Sequence, residues 1–391
     1  MICKENITIG VDARTVFSPE RRGTGKNLVD LYRQLAKLSP EWRFVMYYER
    51  EGYENPFADI PNIEICRLRC KGARWNLWEE LALPWAAKRR GLDILHCPAQ
   101  TAPRWKPVPT VVTVHDIIPL RMDDGTPAKQ RLRLEKNIRR TMQSATHVFT
   151  VSEFSRQDIM DCFGHTGENL SVLYWAPDRQ VRQVSPDEIE RVLNRYQVAG
   201  EYVFAFGSTS PRKNTPLVID AFAEYVRRNP DTRVKLLLSG IRSERFQSHF
   251  LSQVKALGLT DHVKNLGFVD DEEIPALLSG ASLLLFMSLY EGFGLPLLDA
   301  MACGTPILCS NVSSLPEVAG RAAEYADPNS VSDMASSLER LLSDSERRAE
   351  LSRLGRERVA GFTWEATARA VVSTFETVMS GRHRVKRRGP S

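Results

Sequence analysis

Apolar runs of strand length alternate with segments of helical period along almost the whole chain. ITIGVDA, RFVMYY, IEICRL, DILHC, TVVTVHD and HVFTVS predict strands. The stretches Lys26–Leu38, Trp75–Arg90, Lys129–Gln143 and Glu153–Phe163 predict the helices between them. Such alternation is the signature of an α/β, doubly wound parallel sheet. After LSVLYWAPD a polar stretch, RQVRQVSPDEIE, reads as a linker. The alternation then restarts with YVFAFG, a helix from Pro216 to Arg228, VKLLLSG, a helix near Glu244–Leu257, VKNLGFV, a short helix to Ser279, SLLLFMS, a helix after Gly294, and TPILCS. Two doubly wound domains facing across a cleft are expected, at 1–180 and 181–362. A helix within 363–380 is expected to cross back to the N-terminal domain, and a basic tail, 381–391, to be disordered.

Composition narrows the class. At 391 residues the chain exceeds one ordinary core, and its 42% hydrophobic and 26% charged content is that of a soluble globular protein. No apolar run reaches the roughly 18 residues of a membrane span. The start, MICKENITIGVDAR, lacks a signal-peptide core and reads as the lead-in to a strand, so a cytoplasmic location is expected. Seven scattered cysteines without a Cys-x-x-Cys pair predict reduced packing thiols, and the seven histidines lack metal-ligand spacing, so no metal is expected.

The net charge of +5 is unevenly spread. Arg67–Gly91 holds seven basic residues against two acidic ones, Lys129–Arg140 six against one, and the tail from Gly381 five against none. Trp75, Trp78, Leu81, Ala82 and Trp85 form a helical stripe beside Arg74 and Lys88–Arg90. That stripe reads either as packing against the first sheet or as a membrane-surface helix.

Chemistry concentrates in SLYEGFGLPLLDAMACGTPILCS, residues 288–310. A buried-strand pattern runs through a glycine turn into a helix closed by Gly304. Ligands of open α/β sheets lie at such carboxyl-end crevices. The N–H groups of Gly292, Phe293, Gly294 and Leu295 would cradle an anion at the helix N-terminus, with Pro296 placed where its missing N–H costs nothing. The carboxylates would address hydroxyls: Asp299, one turn into the helix, a ribose diol, and Glu291, in the loop, a polar group beyond the phosphates.

Two acids eight residues apart around this turn, followed by AMACGTP and SNVSSLPEV, resemble the donor site of the retaining GT-B glycosyltransferases of family 4. GVDAR with GTGKNL, DILHCP, TVVTVHDIIPL, VSEFSRQDI, FGSTSPRKN and NLGFVDDEEIPALLSGASLLLF fall in that family's order, and the resemblance covers about Ile7 to Met379. Two positions depart from the family pattern. Asp299 stands where the second acid is usually Glu, and Ser208 stands where many relatives carry arginine.

The resemblance implies a set of roles. Arg212 and Lys213 would grip the donor diphosphate, and Gly23, Thr24 and Gly25, in a loop before the first helix, would close over it. His115 would face the transferred sugar with Glu291, and Val269 would lie by the base through its backbone. The implied reaction is metal-independent transfer of a sugar to an acceptor hydroxyl with retention, without a cofactor. The donor expected is a nucleotide-sugar, GDP-mannose favoured. The acceptor expected is a glycan or polyprenyl-diphosphate-linked glycan of bacterial surface polysaccharide, with peripheral contact to an anionic inner membrane and no nucleic acid. Alternatives are a UDP- or dTDP-sugar donor, a nucleotide-sugar 2-epimerase, or a non-catalytic nucleotide-sugar binder.

Overall fold

A computed structural model describes residues 7–18, 23–70, 77–241 and 244–387. The chain divides into two compact units. The N-terminal unit comprises the chain to Ile117, Ala128–Ala176, and the C-terminal segment from Thr363. The C-terminal unit comprises Ile118–Pro127 and Pro177–Phe362, so the division falls after Ala176 rather than at 180, and a ten-residue segment before the helix Ala128–Ser144 groups with the second unit.

The N-terminal unit is built on seven strands: β1 (Thr8–Asp12), β2 (Arg43–Tyr48), β3 (Ile63–Arg67), β4 (Ile94–Cys97), β5 (Thr110–Thr113), β6 (His147–Thr150) and β7 (Leu170–Val172). They form one parallel sheet in the order β3-β2-β1-β4-β5-β6-β7. Strands β1, β4 and β5 are buried almost residue for residue, because helices cover both faces. The C-terminal helix, Trp364–Arg387, belongs to this unit and packs on the helix Gly23–Leu38. Its Ala368, Val371 and Phe375 are fully buried, Phe375 stacks 6.3 Å from Trp42, and Trp364 meets Trp175 edge-on at 5.7 Å. Removing a buried phenyl of this kind costs about 3–5 kcal/mol. The backbone helix continues to Arg387, past the expected end at 380, so the tail is helical through that residue and 388–391 lie outside the described residues.

The C-terminal unit carries β8 (Tyr202–Phe206), β9 (Lys235–Ser239), β10 (Val263–Gly267), β11 (Leu283–Phe286), β12 (Ile307–Ser310) and β13 (Glu324–Ala326). All pair in parallel, in the order β10-β9-β8-β11-β12-β13. Its core joins Val203 and Ala205 of β8, Leu236 and Leu238 of β9, Leu283 and Leu285 of β11, and Phe222 of the helix Thr215–Arg228. The polar stretch read as a linker holds a helix, Pro186–Arg195, whose Ser185 side chain accepts from Glu188 N. A serine cap followed by proline at the first helical position is a helix start that outweighs the polarity of the segment.

In each sheet the strand order reverses at one place, between β1 and β4 in the first and between β8 and β11 in the second. A crevice opens at the carboxyl ends of the strands at such a point.

Candidate functional site

In the C-terminal unit, the two loops leaving β8 and β11 meet at this reversal. Beyond β8 the chain passes through Gly207 and Ser208 into a tight turn, Pro211–Lys213, and then into the helix Thr215–Arg228. Asn214 joins turn to helix at φ 58, and its side chain donates to Pro328 O at 2.6 Å. Thr215 closes the loop from the far side: its hydroxyl accepts from Ser208 N at 3.0 Å and donates to Ser208 O at 3.1 Å. These bonds aim Arg212 and Lys213 toward the loop after β11.

That loop presents Glu291. Lys213 Nζ donates to Glu291 Oε1 at 2.7 Å, and Ser288 Oγ donates to the same oxygen at 2.8 Å. Arg212 Nη1 stands 2.6 Å from it, an ion pair lying off the axis of a hydrogen bond. The backbones also join, because Leu289 N donates to Arg212 O at 2.7 Å. Glu291 N donates to Ser313 Oγ, and Ser314 Oγ lies 2.9 Å from both the Glu291 and Phe293 carbonyls. A carboxylate only 8% exposed is thereby held rigid from three sides.

Electrostatics follow from the geometry. Burial alone would raise the Glu291 carboxyl, but Lys213 and Arg212 outweigh it and hold the group below the ordinary carboxylate range. Burial lowers the Lys213 ammonium, Glu291 pulls it back and Arg212 pushes it down again, leaving a net lowering. Lys213 also lies over the Phe286 ring, 4.4 Å from its centroid, beside a cavity of about 10 Å3 lined by Thr215, Met287 and Ser288. The cluster carries two cations and one carboxylate, a net positive charge at a strand-end crevice.

The other expected donor residues of this unit surround the cluster in sequence and fold. Gly294 opens the helix Leu295–Cys303 at φ 105, a left-handed conformation in which a Cβ would meet Leu315 at 2.7 Å, so glycine is required there. Gly292 and Phe293 lie buried before it, and Asp299 is half-buried one turn into the helix. Val269 follows the end of β10 with its side chain buried, while its neighbour Phe268 is 54% exposed.

In the N-terminal unit, His115 follows β5 as expected. Its Nε2 donates to Pro98 O at 2.8 Å, its ring packs 5.4 Å from Trp175, and its N–H donates to Gln100 Oε1 at 3.0 Å. Burial lowers its basicity, with the Pro98 carbonyl partly opposing, so the ring is neutral and presents Nδ1 as acceptor. Gly23, Thr24 and Gly25 do not form a loop: they are the first turn of the helix Gly23–Leu38. First-turn N–H groups need no partner four residues back, so the glycines cost little helix stability there.

The aromatic stripe is also corrected. Arg74 and Trp75 lie outside the described residues. Trp78–Ala82 forms a π-turn, Leu83 N donating to Trp78 O, before the α-helix Leu83–Arg90. Pro84 has no N–H to donate to the fourth residue back, which makes a wider turn the cheaper start. Trp78 is fully buried, whereas Leu81 and Trp85 are more than half exposed.

Sequence reading left several residues without a role. Ser288, Ser313 and Ser314 hold Glu291, and Thr215 ties down the Lys213 turn. The serines of SNVSSLPEV were visible as a motif, but nothing local told which backbone they would reach. In the N-terminal unit a buried ionic triad has no local signature in the sequence. Arg14 donates to both oxygens of Asp12, at 2.9 and 2.6 Å, and to Glu79 Oε2 at 3.0 Å, with its guanidinium 4.4 Å from the Trp78 ring centroid. Burial works against the Arg14 charge, but Asp12 and Glu79 outweigh it and hold the group above its ordinary range.

Comparison with known proteins fits this geometry. Residues 189–358 match the family model of glycosyl transferases group 1, and residues 21–180 match that of glycosyltransferase family 4. The fold matches HepE of Anabaena, solved with UDP and glucose, at a TM-score of 0.74 and 20% identity, over 95% of this chain and 100% of that one. O-antigen chain mannosyltransferase B of Escherichia coli is 34% identical over 269 residues, 68% of this chain and 70% of its own. The chain belongs to the GT-B glycosyltransferases. This glycosyltransferase is also 28% identical to the serotype-specific mannosyltransferase WbdA of Escherichia coli over 292 residues, which are 72% of this chain but 34% of WbdA. WaaG, a glycosyltransferase involved in lipopolysaccharide biosynthesis, shares its fold at a TM-score of 0.70 and 16% identity, over 93% and 98% of the two chains.

Proposed function

We propose that this glycosyltransferase moves mannose from GDP-mannose, with retention and without a metal ion, onto a glycan or polyprenyl-diphosphate-linked glycan in bacterial surface polysaccharide synthesis. The observation that carries the reading is the Arg212–Lys213–Glu291 cluster at the β8/β11 reversal, two fixed cations beside a glycine turn that opens a helix. Preorganised positive charge favours a leaving nucleoside diphosphate, whose charge grows as the glycosidic bond breaks. The mannosyltransferase relatives support the choice of mannose.

Each residue then has a task. Lys213 and Arg212 bind the diphosphate, joined by the backbone of Gly292, Phe293, Gly294 and Leu295, and the first-turn N–H groups of Gly23, Thr24 and Gly25 are of a kind suited to an anion. Glu291 keeps Oε1 on the cations and offers its other oxygen to a sugar hydroxyl, Asp299 takes the ribose diol, and the backbone at Val269 flanks the base. Neutral His115 accepts a hydrogen bond from a hydroxyl of the transferred sugar. In the step itself the bond from the anomeric carbon to the phosphate oxygen breaks and a bond to the acceptor oxygen forms on the same face. The acceptor's proton goes to the leaving phosphate.

The helix Ala128–Ser144 supports a membrane-bound acceptor. Leu132 is 68% exposed there, flanked by exposed Arg133 and Lys136. Among the described residues no helix is long and apolar enough to span a bilayer, so such contact would be peripheral.

The test is nucleoside diphosphate release from GDP-mannose, UDP-glucose and a dTDP-sugar, with and without a polyprenyl-diphosphate glycan. Acceptor-dependent GDP release with an α-linked product is expected. Acceptor-dependent release from another donor alone would move the reading to that donor. Sugar epimerisation, or binding without turnover, would overturn transfer itself.

A further inference from the structure

The buried triad of the N-terminal unit touches no expected substrate group, yet it leads to His115 in two steps. Glu79 accepts from Arg14 with one oxygen and from the Thr101 hydroxyl with the other, at 2.9 Å. Thr101 is the neighbour of Gln100, which stands in the left-handed region at φ 70. A non-glycine residue in that region is strained and persists only where its surroundings dictate it. Here they do: Gln100 N donates to Thr113 O, its Oε1 accepts from His115 N, and its Nε2 donates to Asp116 O at 3.2 Å. The same loop supplies the Pro98 carbonyl that fixes the His115 ring. Asp12 closes the chain, since it ends β1 and holds the Arg14 guanidinium through two hydrogen bonds.

We infer that the Asp12–Arg14–Glu79 triad, acting through the Thr101 hydroxyl, is a positioning device that locks the 98–101 loop and so sets the orientation and tautomer of His115. The inference rests on the reading that His115 meets the transferred sugar, but the geometry of the ring is testable apart from it. Thr101 is the place to cut, because valine has the same shape and lacks the donor, whereas serine keeps it.

Full-length Thr101→Val should shift the ring 15N signals of His115 in the unliganded chain, the signals being assigned by their loss in His115→Gln. It should also slow GDP release from GDP-mannose by about tenfold, the scale of a small misplacement of a reacting group, with calorimetric affinity for GDP unchanged. Thr101→Ser should restore both readouts, and circular dichroism at equal temperature serves as the control for folding. Ring signals in their wild-type places in Thr101→Val would overturn the inference. Signals that move while turnover holds would overturn its link to catalysis. If His115→Gln turns over normally, the role given to His115 fails, while the signals still decide whether the triad sets the ring.

Discussion

In both parallel sheets three strands lie on one side of a single reversal of strand order and the rest on the other, yet the two units load that reversal with opposite charge. In the C-terminal unit Arg212 and Lys213 surround one carboxylate, Glu291. In the N-terminal unit Asp12 and Glu79 surround one cation, Arg14. The first arrangement leaves a positive balance and the second a negative one. Loop contents, set by a few residues at or after the ends of β1, β3, β8 and β11, decide the charge at each crevice; the topology only supplies the crevice.

The largest effect is expected at Lys213. Lys213→Ala should cut turnover about a hundredfold, the loss of one preorganised charge worth roughly 3 kcal/mol. Steady-state rates of a variant with wild-type circular dichroism check it, and near-normal turnover would remove Lys213 from the site.

Glu291→Gln removes the one negative charge of the same cluster. Transfer should fall roughly thirtyfold, since a hydrogen bond to a charged group is worth about 2 kcal/mol. Affinity for free GDP should hold or rise, because the cations lose their internal counter-ion. Calorimetry with GDP is the check, and a parallel loss of affinity would place Glu291 on the nucleotide instead.

Acid should separate the units. His96 lies fully buried in the N-terminal unit between the Tyr32 hydroxyl and Thr113, and burial, with His115 nearby, lowers its pKa to about 3. Burial lowers His147 of the same unit as well, to about 4. A histidine whose folded pKa is depressed binds its proton more readily when unfolded. Its contribution is therefore complete above the unfolded value near 6.5 and is lost as pH falls toward the folded value. Between pH 6.5 and 5 the loss from His96 should be roughly 2 kcal/mol. Hydrogen exchange at pH 7 and pH 5, corrected for intrinsic rates, should show protection falling more around β4 and β5 than around β8 and β11. Equal losses in both units would defeat the assignment.

The last effect is at the surface and leaves the catalytic chemistry untouched. Changing Arg131, Arg133 and Lys136 together to Glu should weaken binding to anionic vesicles, by about 1 kcal/mol for each cation near the headgroups. Sedimentation at low and high salt reads it, and a wild-type protein that stays in the supernatant at low salt would point to a soluble acceptor.

Much of this molecule is legible in one dimension, because periodicity is a local property. Apolar runs marked β1, β8 and β11, and glycine with proline marked the turn that opens Leu295–Cys303. Asp299 falls one turn into that helix, as its spacing from the turn requires. The helix Glu153–Phe163 has the bounds its pattern predicts, since Ser152 caps one end and Gly164 closes the other.

What tertiary structure alone decided is which distant groups meet. Lys213 and Glu291 are 78 residues apart, and Arg14 and Glu79 are 65 apart. Nothing in either neighbourhood encodes the other; the strand order brings β8 beside β11 and so makes the first pair. The π-turn before Pro84, the left-handed Gln100 and the neutral state of His115 have the same origin. Each is a local cost or a buried polar group that only surrounding contacts can hold in place, and such contacts exist only once the chain has closed on itself.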